Sequence, residues 1–183
     1  VMGAARHLAL LPALSGERVA WPVPFADGIV RLLALRGRRV VVLASGNPFW
    51  FGAGSVLARH LRPGEWHALP GVSTFALAAA RMGWPLEAVA CHGLHAAPFE
   101  RLRPALAPDA RAIVLLRDGA AVWGLAEWLT AQGFGATQMR VMEALGGPGE
   151  RVRGTAAAAY AFDDVAHPVC AALTVQGAGK VLP

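Results

Sequence analysis

Residues 40–57, VVVLASGNPFWFGAGSVL, decide how the rest of the chain is read. Three β-branched valines followed by Leu43 and Ala44 predict a strand buried on both faces, as in a parallel sheet. Ser45, Gly46, Asn47 and Pro48 then predict a sharp turn, with Gly52 and Gly54 leading into a helix over 55–61. In open α/β sheets small ligands rest beyond the carboxyl ends of the strands, where glycine lets backbone come close. The turn is therefore a candidate ligand seat, though a plain tight connection would look the same. Its spacing is neither GxGxxG nor GxxxxGK followed by Ser or Thr, which argues against a dinucleotide fingerprint and a P-loop.

On the N-terminal side, residues 1–3 read as the end of a strand already running, and RHLALLPAL follows at once. Residues 26–35 predict a helix, with Asp27 near its start and Gly37 at its end. On the C-terminal side, 66–69 predict a short strand, and PGVSTFALAAARMGWP a turn at Pro70 and Gly71 followed by a helix. Ser73 or Thr74 can accept hydrogen bonds from that helix's free amides, and Gly83 with Pro85 closes it. Right-handed crossovers would put both turns at one edge of a parallel sheet, where they can share a ligand.

Beyond a brief strand at 87–91, Pro98, Pro104 and Pro108 mark a connection. The expected organisation is an N-terminal α/β subdomain over 1–91, a C-terminal one over 92–177 and a linker over 178–183. In the second, 112–116 predict an apolar strand, Asp118 and Gly119 a turn, and 121–132 a helix closed by Gly133. A strand over 137–143, a loop at Gly146, Gly147 and Gly149, and a hairpin arm over 150–155 follow. Thr155 is expected to cap a short helix through Tyr160, before a last strand over 169–175.

The chain has 183 residues, 55% of them hydrophobic, yet no apolar run approaches the roughly 18 to 20 residues a spanning helix needs. No charged segment followed by an apolar one opens it, and Cys91 and Cys170 make no disulfide framework, so a cytoplasmic location is expected. The net charge of +5 comes from dispersed arginines, Lys180 being the only lysine. No basic stripe is interleaved with aromatics, which argues against nucleic acid. An anionic small substrate would use the same excess charge. His92, His95 and Cys91 lack the two spaced pairs of a metal site, so no metal is expected.

Five motifs in order, LASGNPFWFGAGS, LPGVSTFALAAARMGWP, CHGLH, IVLLRDG and MEALGGPGERV, resemble the tetrapyrrole methylases over nearly the whole chain. Within that family the likeness is to members that methylate C5 of a precorrin in the cobalamin pathway. The resemblance implies two small α/β domains with S-adenosylmethionine in the cleft between them. It implies cofactor contacts from Ser45, Gly46, Asn47 and Trp50, from Ser73 and Thr74, and from Arg117, Asp118, Met142, Ala144 and Leu145. Glu143 lies in the last of these loops, and Glu150 with Arg151 forms a structural pair. Implied partners are a tetrapyrrole substrate, a second copy in a homodimer, and a fused C-terminal half that decarboxylates and methylates C15.

Three departures stand out. Asn47 replaces the usual acid of its turn, Leu94 replaces an arginine, and the family's glycine-rich first strand is absent from these residues. Methyl transfer from a sulfonium to carbon is an in-line displacement that requires alignment and exclusion of water rather than many ionisable groups. Helix N-termini after Pro48 and Ser73 are expected to hold the cofactor carboxylate. His92 is the candidate to orient the macrocycle or take the proton lost on methylation. Arg6 is the candidate partner of a substrate carboxylate. Other readings stay open: a different precorrin position, uroporphyrinogen as substrate, or a truncated remnant that binds cofactor without turnover.

Overall fold

The computed structural model describes residues 1–13 and 15–179 and divides the chain into two compact units, Val1–Ser73 and Thr74–Pro183. Residues 180–183 of the expected linker lie outside the described residues.

In the first unit, β1 (Met2–Gly3) pairs in parallel with β2 (Val19–Ala20). On its other side, Met2 N–H donates to the Val41 carbonyl and Leu43 N–H to the Met2 carbonyl, both at 2.8 Å, in a parallel bridge to Val42. The valine run thus makes one parallel bridge in place of the predicted strand, and it is not buried on both faces. Val42 packs with Met2, Val19, Leu32 and Leu57 in the unit's core, whereas Val41, on the opposite face, is 53% exposed. Packing covers only one face.

Short α1 (Ala5–Leu8) follows β1, and α2 (Phe25–Leu33) supplies Leu32 to the core. α3 (Ala53–Leu57) is shorter than predicted and runs into a 3-10 turn, Ala58–His60. α3 begins at Ala53, after the Pro48 turn, and not at the expected residue 55. Nor do residues 66–69 form a strand: Trp66 stacks on Phe49 with ring centroids 5.4 Å apart.

The second unit opens with α4 (Thr74–Met82) and carries a five-stranded sheet. Its strands are β3 (Ala90–Gly93), β4 (Arg111–Leu116), β5 (Gln138–Glu143), β6 (Arg151–Ala156) and β7 (Val169–Thr174), in the order β3-β4-β7-β5-β6. β3 and β4 are parallel, whereas β7 lies antiparallel between β4 and β5, and β5 and β6 form an antiparallel hairpin. The sheet is therefore mixed. β7 is buried over Val169–Leu173, and α5 (Gly119–Ala131) adds Val122, Leu125, Ala126 and Leu129 to the core. α4 packs on β4 and β7, and β3 hydrogen-bonds to β4. The compact units consequently divide at Ser73–Thr74 rather than near residue 91. Thr155, expected as a cap, instead donates its hydroxyl to the Ala159 carbonyl at the far end of a 3-10 turn, Ala157–Ala159.

Candidate functional site

The predicted turn residues of the first unit meet through backbone. Gly71 N–H donates to the Gly46 carbonyl at 3.0 Å, joining the SGNP elbow to the PGVS elbow. Gly46 has φ +52°, and a Cβ on it would fall 2.9 Å from the Val72 carbonyl oxygen. Only glycine satisfies both conditions without strain. Asn47 Oδ1 accepts from Phe49 N–H at 2.9 Å, and the Asn47 carbonyl accepts from Trp50 N–H at 3.2 Å, so Asn47 shapes its own turn. What it can offer outward is its NH2 group. Ser73 is 8% exposed and closes this unit.

Ser45 Oγ is the meeting point of α1 and the elbow. His7 Nε2 lies 2.9 Å from it, and Arg6 donates to it at 3.4 Å. Arg6, expected to meet a substrate carboxylate, thus stands on the elbow beside Ser45, expected to meet the cofactor. His7 escaped the sequence reading, because its partner is 38 positions away and only its neighbour Arg6 marked the place.

In the second unit the predicted residues gather at one edge of the sheet. Val169 is the register partner of both Leu116 and Glu143, so Arg117 and Asp118 after β4 and Ala144 and Leu145 after β5 leave the sheet at the same end. β3 ends there too, with Gly93 opposite Leu115. Asp118 Oδ1 accepts from Ala121 N–H at 2.8 Å and caps α5, while Oδ2 accepts from Arg117 Nε at 2.9 Å. Arg117 and then the Ala121 amide hold this carboxyl below its usual range. Met142 is 1% exposed, so its loop presents backbone rather than that side chain. Ala144 has φ +46° and donates its N–H to the Pro168 carbonyl at 2.9 Å.

Behind this edge sits a cluster of charges. Glu143, 1% exposed, accepts from Arg151 Nε and Nη2 at 2.9 and 2.7 Å, from Arg153 at 3.0 Å and from Ala166 N–H at 2.7 Å. Burial pushes its carboxyl up, but these donors together pull it lower still than the ordinary value. Asp164 binds the same two arginines, which hold it down at about 2. Glu150 pairs with Arg81 and accepts from Gly146 N–H at 2.8 Å, tying down the glycine loop. Glu150 and Arg151 therefore brace the site through separate partners.

His92 lies on β3 opposite Val114, half-buried, and burial lowers its pKa. A hollow of about 520 Å³ opens beside Arg117, lined by Leu94, His95, Phe99, Ala121 and Gly124 among others. Among the described residues no three His, Cys, Asp or Glu side chains are placed to hold a metal ion. No helix among them is long and apolar enough to cross a membrane.

Residues 26–160 match the family of Tetrapyrrole (Corrin/Porphyrin) Methylases. The chain is 43% identical over 187 residues to the precorrin-6Y C(5,15)-methyltransferase (decarboxylating) of a Sinorhizobium species, a match covering 100% of this chain and 45% of that protein. It is 29% identical over 154 residues to the cobalt-precorrin-7 C(5)-methyltransferase of Salmonella typhimurium, covering 82% of this chain and 74% of that one. In fold it resembles the methyltransferase CobJ, with a TM-score of 0.74 at 23% identity over 97% of this chain and 82% of that one. It also resembles the uroporphyrin-III C-methyl transferase of Thermus thermophilus complexed with S-adenosyl homocysteine, with a TM-score of 0.68 at 24% identity over 94% and 84%. The chain thus spans less than half the length of its Sinorhizobium relative.

Proposed function

This chain belongs to the tetrapyrrole (corrin/porphyrin) methylase family, and from that premise we propose that it transfers the methyl group of S-adenosylmethionine to C5 of a precorrin-6/7 intermediate of cobalamin biosynthesis. The observation that carries the substrate is the 43% identity held along the whole chain to a precorrin-6Y methyltransferase. The Salmonella relative, whose name also specifies C5, points the same way.

The residues present fit such a cofactor. The first-unit elbow is built from backbone, with Gly46 close against Val72, and Ser45 and Asn47 offer neutral hydroxyl and amide groups. Ser45, Gly46, Asn47, Trp50 and Ser73 would hold it there, and Thr74, Arg117, Asp118, Met142, Ala144 and Leu145 would do so in the second unit. When bound, the cofactor supplies an electrophilic methyl on a sulfonium, a chemistry that needs alignment more than acid-base groups. With the acid of its turn replaced, Asn47 contributes a hydrogen bond rather than a countercharge. Arg6 pairs with a carboxylate of the macrocycle. His92, kept neutral at pH 7 by burial, orients the substrate and takes the proton released at the methylated carbon.

Calorimetric titration with S-adenosylhomocysteine, followed by a labelled-methyl assay on the precorrin, tests this reading. Saturable binding together with label at C5 is expected, and binding without turnover would mark a cofactor-binding remnant instead. His92→Ala should cut turnover about 10²-fold or more with little change in cofactor affinity. Unchanged turnover removes His92 from the mechanism. A second substrate reading, uroporphyrinogen or another precorrin carbon, draws on the shared fold of the Thermus enzyme, and the same assay run with those macrocycles decides it. Cytoplasmic location, pairing as a homodimer and cooperation with a decarboxylating, C15-methylating half belong to the same proposal. Light scattering tests the homodimer.

A further inference from the structure

The loop after β5 is wound on main-chain bonds and closed by one carboxylate. Ala144 N–H donates to the Pro168 carbonyl at 2.9 Å, Gly147 N–H to the Ala144 carbonyl at 2.9 Å and Glu150 N–H to the Gly147 carbonyl at 3.1 Å. These bonds leave the Gly146 amide over, and Glu150 Oε2 reaches back across the loop to accept it at 2.8 Å. The backbone it holds is not a relaxed one. Ala144 has φ +46°, in the left-handed region that an L-residue avoids, and Gly146 follows at φ +77°. An alanine stays there only where its surroundings over-determine the conformation. The direction of every contact is fixed, since amide and guanidinium groups can only donate and an ionised carboxylate can only accept.

The Glu150 carboxylate is itself gripped from α4. Arg81 Nε donates to Oε1 and Nη2 to Oε2, the latter at 2.9 Å, a two-point contact that sets the plane of the carboxylate. One turn earlier on that helix, Leu77 Cδ1 lies 3.2 Å from the point a Cβ on Gly146 would occupy. α4 begins at Thr74, so the clasp joins two segments of the second unit that carry expected cofactor contacts, Thr74 on one and Ala144 with Leu145 on the other. From this geometry we infer that Glu150 is a positioning residue for cofactor binding: its carboxylate holds the 144–147 loop in the conformation that meets S-adenosylmethionine, and Arg81 holds the carboxylate. The inference rests on the cofactor reading above and names the side chain that pre-forms one of its contacts. Both members of the ion pair are partly exposed, so the pair adds little to folding stability. Its effect falls on the loop, which needs less ordering when the ligand arrives.

The test is calorimetric titration with S-adenosylhomocysteine, alongside steady-state methyl transfer, on the whole chain and on its Glu150→Ala, Glu150→Gln and Arg81→Ala variants. Glu150→Ala should bind about 3- to 10-fold more weakly, the ordinary net worth of one hydrogen bond, and raise KM for S-adenosylmethionine by the same factor. Its kcat at saturating cofactor should stay within about twofold of the parent's, whereas a merely stabilising ion pair would lower kcat with the folded fraction and leave affinity alone. Glu150→Gln keeps an acceptor for the Gly146 amide and should bind nearly as well as the parent. Arg81→Ala should fall between, and the double alanine variant should bind no more weakly than Glu150→Ala, because Arg81 acts through Glu150. Parent-like affinity in Glu150→Ala, or Glu150→Gln as weak as Glu150→Ala, overturns the inference. If the parent does not bind S-adenosylhomocysteine, the cofactor reading has failed, and hydrogen exchange at the Gly146 amide of the ligand-free protein still decides the tether. Exchange should be slow in the parent and in Glu150→Gln and faster in Glu150→Ala, and equal exchange in all three overturns it.

Discussion

Gly46 concentrates several demands in one residue. Its left-handed φ of +52° costs an L-residue about 1 to 2 kcal/mol, and a methyl there would sit 2.9 Å from the Val72 carbonyl. Gly46→Ala should therefore lower stability by about 1 to 2 kcal/mol in urea unfolding and push the two elbows apart. Calorimetry should show affinity for S-adenosylhomocysteine falling tenfold or more, and parent-like affinity would remove the elbow from the binding site. At this scale turn chemistry marked Ser45, Gly46 and Asn47 as a turn, and the family resemblance gave them a cofactor role. The sequence was silent on His7, because a histidine after an arginine has no local signature of a serine 38 positions on.

At the scale of elements, the end of β5 is held by charge. Glu143 is buried under two guanidinium groups and an amide, so it fixes β6 and the 164–166 segment against the strand that carries Met142 and leads into Ala144. Removing Glu143 leaves Arg151 and Arg153 sharing the carboxylate of Asp164. Glu143→Ala should cost about 3 kcal/mol in urea unfolding, and a loss under 1 kcal/mol would mean the arginines find solvent instead. Asp118 shows how an element can be legible while its role is not. Its Asp-Gly pair predicted a turn, and the structure makes the same carboxylate the cap of α5. Asp118→Asn keeps a capping oxygen and should leave the urea midpoint close to the parent's. Any loss of cofactor affinity in that variant is then a loss of the carboxylate itself.

For the molecule as a whole, the two units differ in how much apolar surface they enclose. The second unit's core runs across β4, β5 and β7, where Ile113, Val114, Val141, Ala171 and Leu173 are 0% exposed, whereas the first closes around Met2, Val19, Leu32 and Leu57. Hydrogen exchange should be slowest in β4, β5 and β7 and faster in β1 and β2. Equal protection in the two units would show that they open together. Acid stability follows from Asp164 and Glu143, whose carboxyls titrate below their unfolded values. Asp164's contribution is complete above its ordinary 3.8 and is lost as pH falls toward about 2, while Glu143's is complete above its ordinary 4.5 and declines as pH falls through its lowered value. Urea midpoints should decline over that window, less steeply in Asp164→Asn.

The sequence by itself determined the family, through five motifs whose order spans the chain, and most element positions. Glycines, prolines and apolar runs act on their own neighbourhood and can be read there. Tertiary structure alone decided that residues 40–44 are covered on one face, that β7 runs antiparallel through the sheet, that α4 packs with the later strands, and that His7 meets Ser45. Each of these depends on which distant surface comes to lie against which, and that is settled by packing across the fold rather than by local propensity.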